Sequence, residues 1–141
     1  MIGIIVKPNM TVATAAPAPG VTVEELLALI GEGGYAVPRT HLPDAGRGRY
    51  QEAWRFNETT ECFTMDLPVV KTIAVATING KLQRELHQYD PALSAALDAG
   101  NITAEASVRA DRNYLRNIAR NKIIAINLAS TFAQIDTLLP A

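Results

Sequence analysis

The fold of this chain depends on residues 66–86, which read DLPVVKTIAVATINGKLQREL. Asp66 suits a helix start because its carboxylate can accept hydrogen bonds from free backbone N–H groups, and Pro68 suits the first turn, where its missing N–H has no helical partner. Apolar side chains then recur at intervals of three and four residues, which predicts a helix face of about six turns. The face consists of Val70, Ile73, Ala74, Thr77, Ile78, Leu82, Leu86 and Tyr89.

One dipeptide inside this stretch points to a different structure. Asn79-Gly80 between apolar runs is a strong signal for a β-hairpin, and residues 73–78 are rich in side chains that favour strands. Residues 81–86, in contrast, are good helix formers and poor strand formers. The sequence therefore favours a helix over Ile73–Leu86 and leaves a hairpin as the alternative.

Upstream of Asp66 the chain is patterned for short strands. Runs of β-branched and aromatic residues predict strands at 2–6, 35–37 and 62–65. The Ala/Pro/Thr-rich segment 11–20 predicts a loop or an extended edge strand, and Tyr50–Arg55 predicts a helical turn or a bend. Between them, Thr22 and Glu25 have the spacing of a capping box, which predicts a short helix.

Downstream of residue 86 the signals are all helical. Asp90-Pro91 predicts a helix that ends near Ala99, and Thr103 predicts the cap of the next helix, which extends to about Arg120. Thr131 with Gln134 predicts a capped terminal helix. The fold class is therefore expected to be α+β: a small antiparallel β-rich N-terminal part, residues 1–66, followed by an α-helical C-terminal part, residues 67–141, in one compact unit.

Composition restricts the classes of function. Of 141 residues, 48% are hydrophobic and 19% are charged, which excludes a disordered chain. The net charge of -1 argues against a general nucleic-acid binder, and no apolar run approaches the roughly 18 residues of a membrane span. One cysteine, Cys62, which we expect to be half-buried, and two histidines are too few for a zinc framework. We expect no enzyme, no cofactor and no small-molecule substrate, because no nucleophile lies near a base in the sequence.

Two groups of side chains are candidates for a role in binding or packing. Arg109, Arg112, Arg116 and Arg120 follow at intervals of three and four, which places them on one helix face. Such a stripe can contact acidic groups of a partner, or it can be a solvated helix face. Tyr50 and Trp54 are expected to be structural anchors, because large aromatic side chains most simply pack in a core, and Asp66 is expected to anchor the helix that follows it.

Several blocks of the chain, in order, resemble a known group of proteins. They are Leu42-Pro43-Asp44, Arg49–Trp54, Met65–Pro68, Leu93–Asp98, Ala99-Gly100-Asn101, Asp111–Arg116 and Thr131–Pro140. The arrangement is similar to that of small proteins encoded among the tail genes of tailed bacteriophages and prophages, over roughly residues 21–140. The chain departs from the pattern at Gln51, where arginine is usual, and at Val70, where alanine is usual.

The resemblance implies a function in assembly without known catalysis, and it implies no catalytic residues. The leading hypothesis is a structural protein of the tail, baseplate or tail-fibre region of a virion, made in the host cytoplasm and bound to other virion proteins in several copies. The alternative is a tail-assembly chaperone that is absent from the finished particle. A third and weaker hypothesis is a small nucleic-acid-binding regulator that uses the arginine stripe.

Overall fold

The chain has an α+β fold, as the sequence predicts. The computed structural model describes residues 2–6, 10–31, 33–43 and 49–140; Asp44, in the first block of the resemblance, lies outside them. The chain divides into two compact units, Met1–Val70 and Lys71–Ala141. The boundary falls in the first turn of a long helix, close to the change of pattern at Asp66. The expected arrangement of both parts as one compact unit stays a prediction.

A three-stranded antiparallel sheet forms the first part of the N-terminal unit. It contains β1 (Ile2–Val6), β2 (Val12–Ala15) and β3 (Gly34–Val37), and β1 lies between the other two. The Ala/Pro/Thr-rich segment therefore supplies an edge strand, β2, which was one of its two predicted states. Ile4 is paired with Thr14 on one side and with Tyr35 on the other.

Helix α1 (Val23–Ile30) packs on this sheet. Its predicted capping box is confirmed: the Glu25 backbone N–H donates to Thr22 Oγ1 at 3.2 Å, and the Thr22 N–H donates to Glu25 Oε2 at 2.8 Å. The helix can approach closely because β3 begins with glycine, where a Cβ would lie only 3.0 Å from Ile30 Cγ2. Gly31, with φ of 79°, ends the helix.

A hairpin completes the N-terminal unit. Strands β4 (Trp54–Asn57) and β5 (Cys62–Met65) pair antiparallel, with Trp54 opposite Met65. The prediction of a helical turn or bend over Tyr50–Arg55 is correct only for a 3-10 turn at Gln51–Ala53, because Trp54 and Arg55 belong to β4. The expectation that Cys62 is half-buried is wrong: it is exposed, because alternate residues of β5 face outward.

The core of the N-terminal unit is aromatic. Val12, Leu42, Trp54 and Phe56 are buried together. The Phe56 ring lies 4.9 Å from the ring centre of Tyr35 and 5.0 Å from that of Phe63. Burial, then the negative charge of Glu58 and hydrogen bonding to it, raises the pKa of Tyr35, which favours a neutral phenol beside these rings.

Helix α2 (Leu67–His87) extends through Asn79-Gly80 without interruption. The predicted helix is therefore confirmed, and the hairpin alternative is wrong. Ala74, Ile78 and Leu86 are all buried, at 0%, 4% and 7% exposure. Burial of this helical stripe outweighs the local turn preference of Asn-Gly, since most helical stability in proteins comes from packing of the apolar face.

Three more helices complete the C-terminal unit: α3 (Asp90–Asp98), α4 (Ile102–Leu128) and α5 (Phe132–Asp136). The capping box of α5 at Thr131 and Gln134 is confirmed. The predicted cap of α4 is wrong, because Asn101 holds that position and its side chain accepts from the Ala104 N–H at 3.0 Å. Because Asn101 precedes Thr103 and already caps the helix, Thr103 lies within the first turn of α4.

Two other predicted helix limits are also wrong. Asp90 is the first residue of α3 and not its cap, which is Tyr89. Helix α4 continues past Arg120 to Leu128. The reason for the longer helix is packing: Ile126 is fully buried at 0% exposure and Ala119 at 6%, so the last two turns are held by the same face as the rest.

Candidate functional site

Helix α4 is the element on which the candidate site is built. It contains 27 residues, which gives it a length of about 40 Å at 1.5 Å per residue. Only one side of it is buried, and that side includes Ala119 and Ile126. The remaining surface is divided into a basic face, which contains the four predicted arginines, and an uncharged face, on which Tyr114 is 67% exposed and Leu128 80% exposed.

Helix α2 runs antiparallel to α4 along its buried side. Lys71, at the start of α2, donates through Nζ to the carbonyl oxygen of Asn127 at 2.8 Å. Further along, Ile78 and Leu82 face Leu115 and Ala119 across a gap of about 30 Å³, which is about the size of a single methyl group or water molecule. This packing brings the end of α2 beside the middle of α4.

A basic cleft of about 550 Å³ lies where α2 ends and α3 begins, against α4. Its lining includes Arg84 and His87 from the last turns of α2, Asp90 from the first turn of α3, and Arg112 and Arg116 from α4. The described lining therefore presents three guanidinium groups and one imidazole against one carboxylate. We call this site the basic cleft.

Asp90 organises one wall of the basic cleft. Its Oδ2 lies 2.7 Å from His87 Nδ1, and its Oδ1 lies 3.8 Å from a terminal nitrogen of Arg112. The Arg112 side chain is only 20% exposed, and its Nε atom is buried without a hydrogen-bond partner among the described residues. A buried N–H group without an acceptor is costly, but this atom is shielded from solvent, so the groups of the cleft that an incoming acceptor can reach are the exposed guanidinium groups of Arg84 and Arg116.

The four predicted arginines do not act as one uniform stripe. Arg112 and Arg116 line the cleft, and Arg116 also donates to Asn113 Oδ1 at 3.0 Å. Arg109 donates through Nε to Glu105 Oε1 at 2.8 Å and is 58% exposed. Arg120 is exposed to solvent and lies outside the described lining. The basic cleft thus brings two of the four arginines together with Arg84, which sequence reasoning missed, and Arg109 lines a second pocket of about 180 Å³ with Arg112 and Arg116.

The guanidinium groups of the basic cleft are suited to binding acidic groups. Guanidinium groups form paired hydrogen bonds with carboxylates and phosphates, and several of them around one cleft favour an acidic ligand. His87 and Asp90 form a hydrogen-bonded pair, but His87 is 85% exposed and the described lining contains no serine, threonine, cysteine or lysine for this pair to activate.

The predicted anchors lie in the N-terminal unit. Tyr50 is fully buried at 0% exposure and Trp54 is buried at 1%, and the Trp54 Nε1 atom has no hydrogen-bond partner among the described residues. The carboxylate of Asp66 lies 3.0 Å from a terminal nitrogen of Arg55, in a half-buried ion pair that links β4 to the start of α2. All three side chains are thus engaged in the packing of this unit.

Two other kinds of site are absent from the described part of the chain. None of its helices has both the length and the apolar character that a membrane crossing requires. Its histidine, cysteine, aspartate and glutamate side chains form no group of three or more that could hold a metal ion.

No protein-family model, curated protein or solved structure matches this chain. The resemblance to tail-cluster proteins of bacteriophages therefore depends on the ordered sequence blocks alone.

Proposed function

We propose that this chain is a structural protein of the tail, baseplate or tail-fibre region of a bacteriophage virion, where it acts by binding other virion proteins and not by catalysis. The order of the resembling blocks along the chain supports the phage assignment. The observation that carries the binding role is that α4 buries one side only, so that most of a 27-residue helix remains available for contacts.

The basic cleft is the part of this surface that is suited to binding a different protein. Three arginines line it, and the guanidinium groups of Arg84 and Arg116 are exposed to an incoming acceptor. The partner that fits this chemistry is an acidic segment of another virion protein, whose carboxylates would pair with Arg84 and Arg116 on either side of Arg112. The cleft thereby gives the proposal a site that mutation can test.

The first experiment locates the protein. Mass spectrometry of purified particles of a phage that encodes this chain is expected to detect it at a fixed ratio to the other tail proteins. Detection in infected cells but not in particles would contradict the proposal and would favour the tail-assembly chaperone. Binding of DNA or RNA that falls steeply with salt concentration would favour the nucleic-acid regulator.

The second experiment tests the cleft. Arg84→Gln with Arg116→Gln removes two exposed charges from the lining and leaves the half-buried Arg112 in place, so the fold is expected to survive. We expect incorporation into particles to fall at least tenfold. The double variant removes two charge-assisted contacts, and each such contact stabilises binding by about 1.5–3 kcal/mol. Arg120→Gln is the matched control on the same helix but outside the described lining, and equal loss with the control would contradict a role for the cleft.

A further inference from the structure

The uncharged face of α4 has the spacing of a coiled-coil seam. Eight residues follow one another at alternating intervals of four and three, and every one of them is exposed and uncharged. These residues, which we call the seam, are Thr103, Ser107, Ala110, Tyr114, Asn117, Asn121, Ile124 and Leu128. Alternating three- and four-residue spacing keeps side chains on one side of a helix and is the pattern by which two helices pack along their length.

The seam is separate from the face that α4 uses for its own core. Ala119 and Ile126, which are buried, belong to the other side of the helix, where Ala119 faces α2. On the seam itself, Tyr114 is 67% exposed, Ile124 50% and Leu128 80%. Three large side chains, Tyr114, Ile124 and Leu128, are thus exposed on a face that carries no charge, and exposed apolar side chains of this size are available for contact with a partner.

The distribution of side-chain size along the seam points to the partner. The seam begins with small residues, Thr103, Ser107 and Ala110, and it ends with large ones, Ile124 and Leu128. A second copy aligned in parallel would place small residues opposite small ones and leave space between the helices. An antiparallel copy places large residues opposite small ones, which is how well-packed layers fill space.

The antiparallel arrangement also brings every seam position into register. A two-fold axis between residues 115 and 116 places Thr103 of one copy opposite Leu128 of the other, Ser107 opposite Ile124, Ala110 opposite Asn121, and Tyr114 opposite Asn117. Each of these four layers occurs twice, so the surface is self-complementary, as a two-fold dimer requires. We propose that the seam of α4 binds a second copy of this chain in antiparallel orientation.

The charges that flank the seam permit this arrangement. Asp111 borders one side of the seam and Arg120 the other. In the antiparallel dimer Asp111 lies beside Ile118 of the second copy and Arg120 lies beside Asn113, so neither meets a like charge. The arginines of the basic cleft lie on another face of α4 and would stay accessible for a different partner.

The size of the seam predicts a weak dimer. From residue 103 to residue 128 the contact would be about 38 Å long and about 10 Å wide, which gives roughly 400 Å² on each copy. The total of roughly 800 Å² is below the range of about 1,200–2,000 Å² for stable complexes. We therefore expect the chain to dimerise only at high protein concentration. In an assembled particle, contacts with neighbouring proteins would stabilise the same dimer. The inference rests on the proposed function for its setting, but purified protein is enough to test it.

Disulfide trapping tests the orientation. In a Cys62→Ser background, Ser107→Cys and Ile124→Cys variants are mixed in equal amounts and oxidised. We expect the mixed dimer, joined between 107 and 124, to exceed each homodimer at least fivefold. Arg109→Cys, exposed on the basic face, is the matched control and is expected to trap no dimer above background. A homodimer through residue 107 as the main product would overturn the antiparallel arrangement, and the absence of trapping would overturn the seam.

Sedimentation equilibrium tests the surface itself. Leu128→Glu places a charge opposite Thr103 at both ends of the dimer interface and is expected to weaken the dimer at least tenfold. Ile102→Glu is the matched control, because Ile102 is equally exposed, at 80%, but lies off the seam. Equal weakening by both variants, or a monomer at every concentration, would overturn the proposal. Virion incorporation is a separate measurement, so failure of the seam and failure of the proposed function are distinguishable.

Discussion

The two compact units place their large apolar side chains differently. In Met1–Val70 the largest ones, Tyr50, Trp54 and Phe56, are buried at 1% exposure or less. In Lys71–Ala141 four of the nine buried apolar residues among those described are alanines, while Tyr114 and Leu128 are mostly exposed. Leu29 of the first unit is also 83% exposed, so the difference concerns the aromatic side chains: those of the first unit pack in its core, whereas Tyr114 of the second is available to a partner.

Trp54→Ala is expected to have the largest effect and to show whether the units are independent. Removal of a fully buried aromatic side chain costs about 3–5 kcal/mol of unfolding free energy. Hydrogen exchange followed by mass spectrometry is expected to show loss of protection in β4 and β5, with α4 unchanged. Trp54→Phe, which keeps an aromatic ring in place, is the control and is expected to cost less.

A loss of protection of the same size in both units would contradict the independence of the two units. It would mean that residues 1–70 and 71–141 unfold together, as the sequence-based expectation of one compact unit requires.

Two isoleucines of α4 test whether the second unit has separate buried and contact faces. Ile126 is fully buried, and Ile124, two residues earlier, is 50% exposed on the seam. Ile126→Ala is expected to cost about 2–4 kcal/mol of unfolding free energy, whereas Ile124→Ala is expected to cost less than about 0.5 kcal/mol. Urea unfolding monitored by circular dichroism, at concentrations where the chain is a monomer, measures both. Equal costs would contradict the assignment of separate buried and contact faces.

Asp66→Asn is expected to have the smallest effect. The change removes a half-buried ion pair with Arg55, whose atoms lie 3.0 Å apart and whose side chains are 33% and 19% exposed. Because solvent screens the pair, we expect a loss of about 0.5–1 kcal/mol, measured by urea unfolding at low salt and reduced at high salt. Glu52→Gln, which removes an exposed charge of the same sign in the same unit, serves as the control. A loss above that of Trp54→Ala would show that the ion pair and not the aromatic core dominates this unit.

Patterns within a few residues predicted local structure correctly. The capping boxes of α1 and α5 each lie within four residues, and both form as expected. Where two local signals competed, spacing alone was insufficient. Asn101 and Thr103 are both suitable caps, and the chain uses Asn101. Trp54 was predicted in a turn or bend and lies in a strand, because its pairing with Met65 involves residues that the local pattern does not include.

The sequence alone was enough to predict the α+β class and the shared helix face of Arg109 to Arg120, and it favoured the helix through Asn79-Gly80 without excluding a hairpin. Each depends on helical periodicity or on a long apolar pattern, which relates residues a few positions apart. Only the tertiary structure decided that Arg84 joins Arg112 and Arg116 in one cleft, that α4 continues to Leu128, and that its seam is left uncovered. These features depend on which distant segments exclude water from each other, and the free energy of that burial is not contained in any short stretch of the chain.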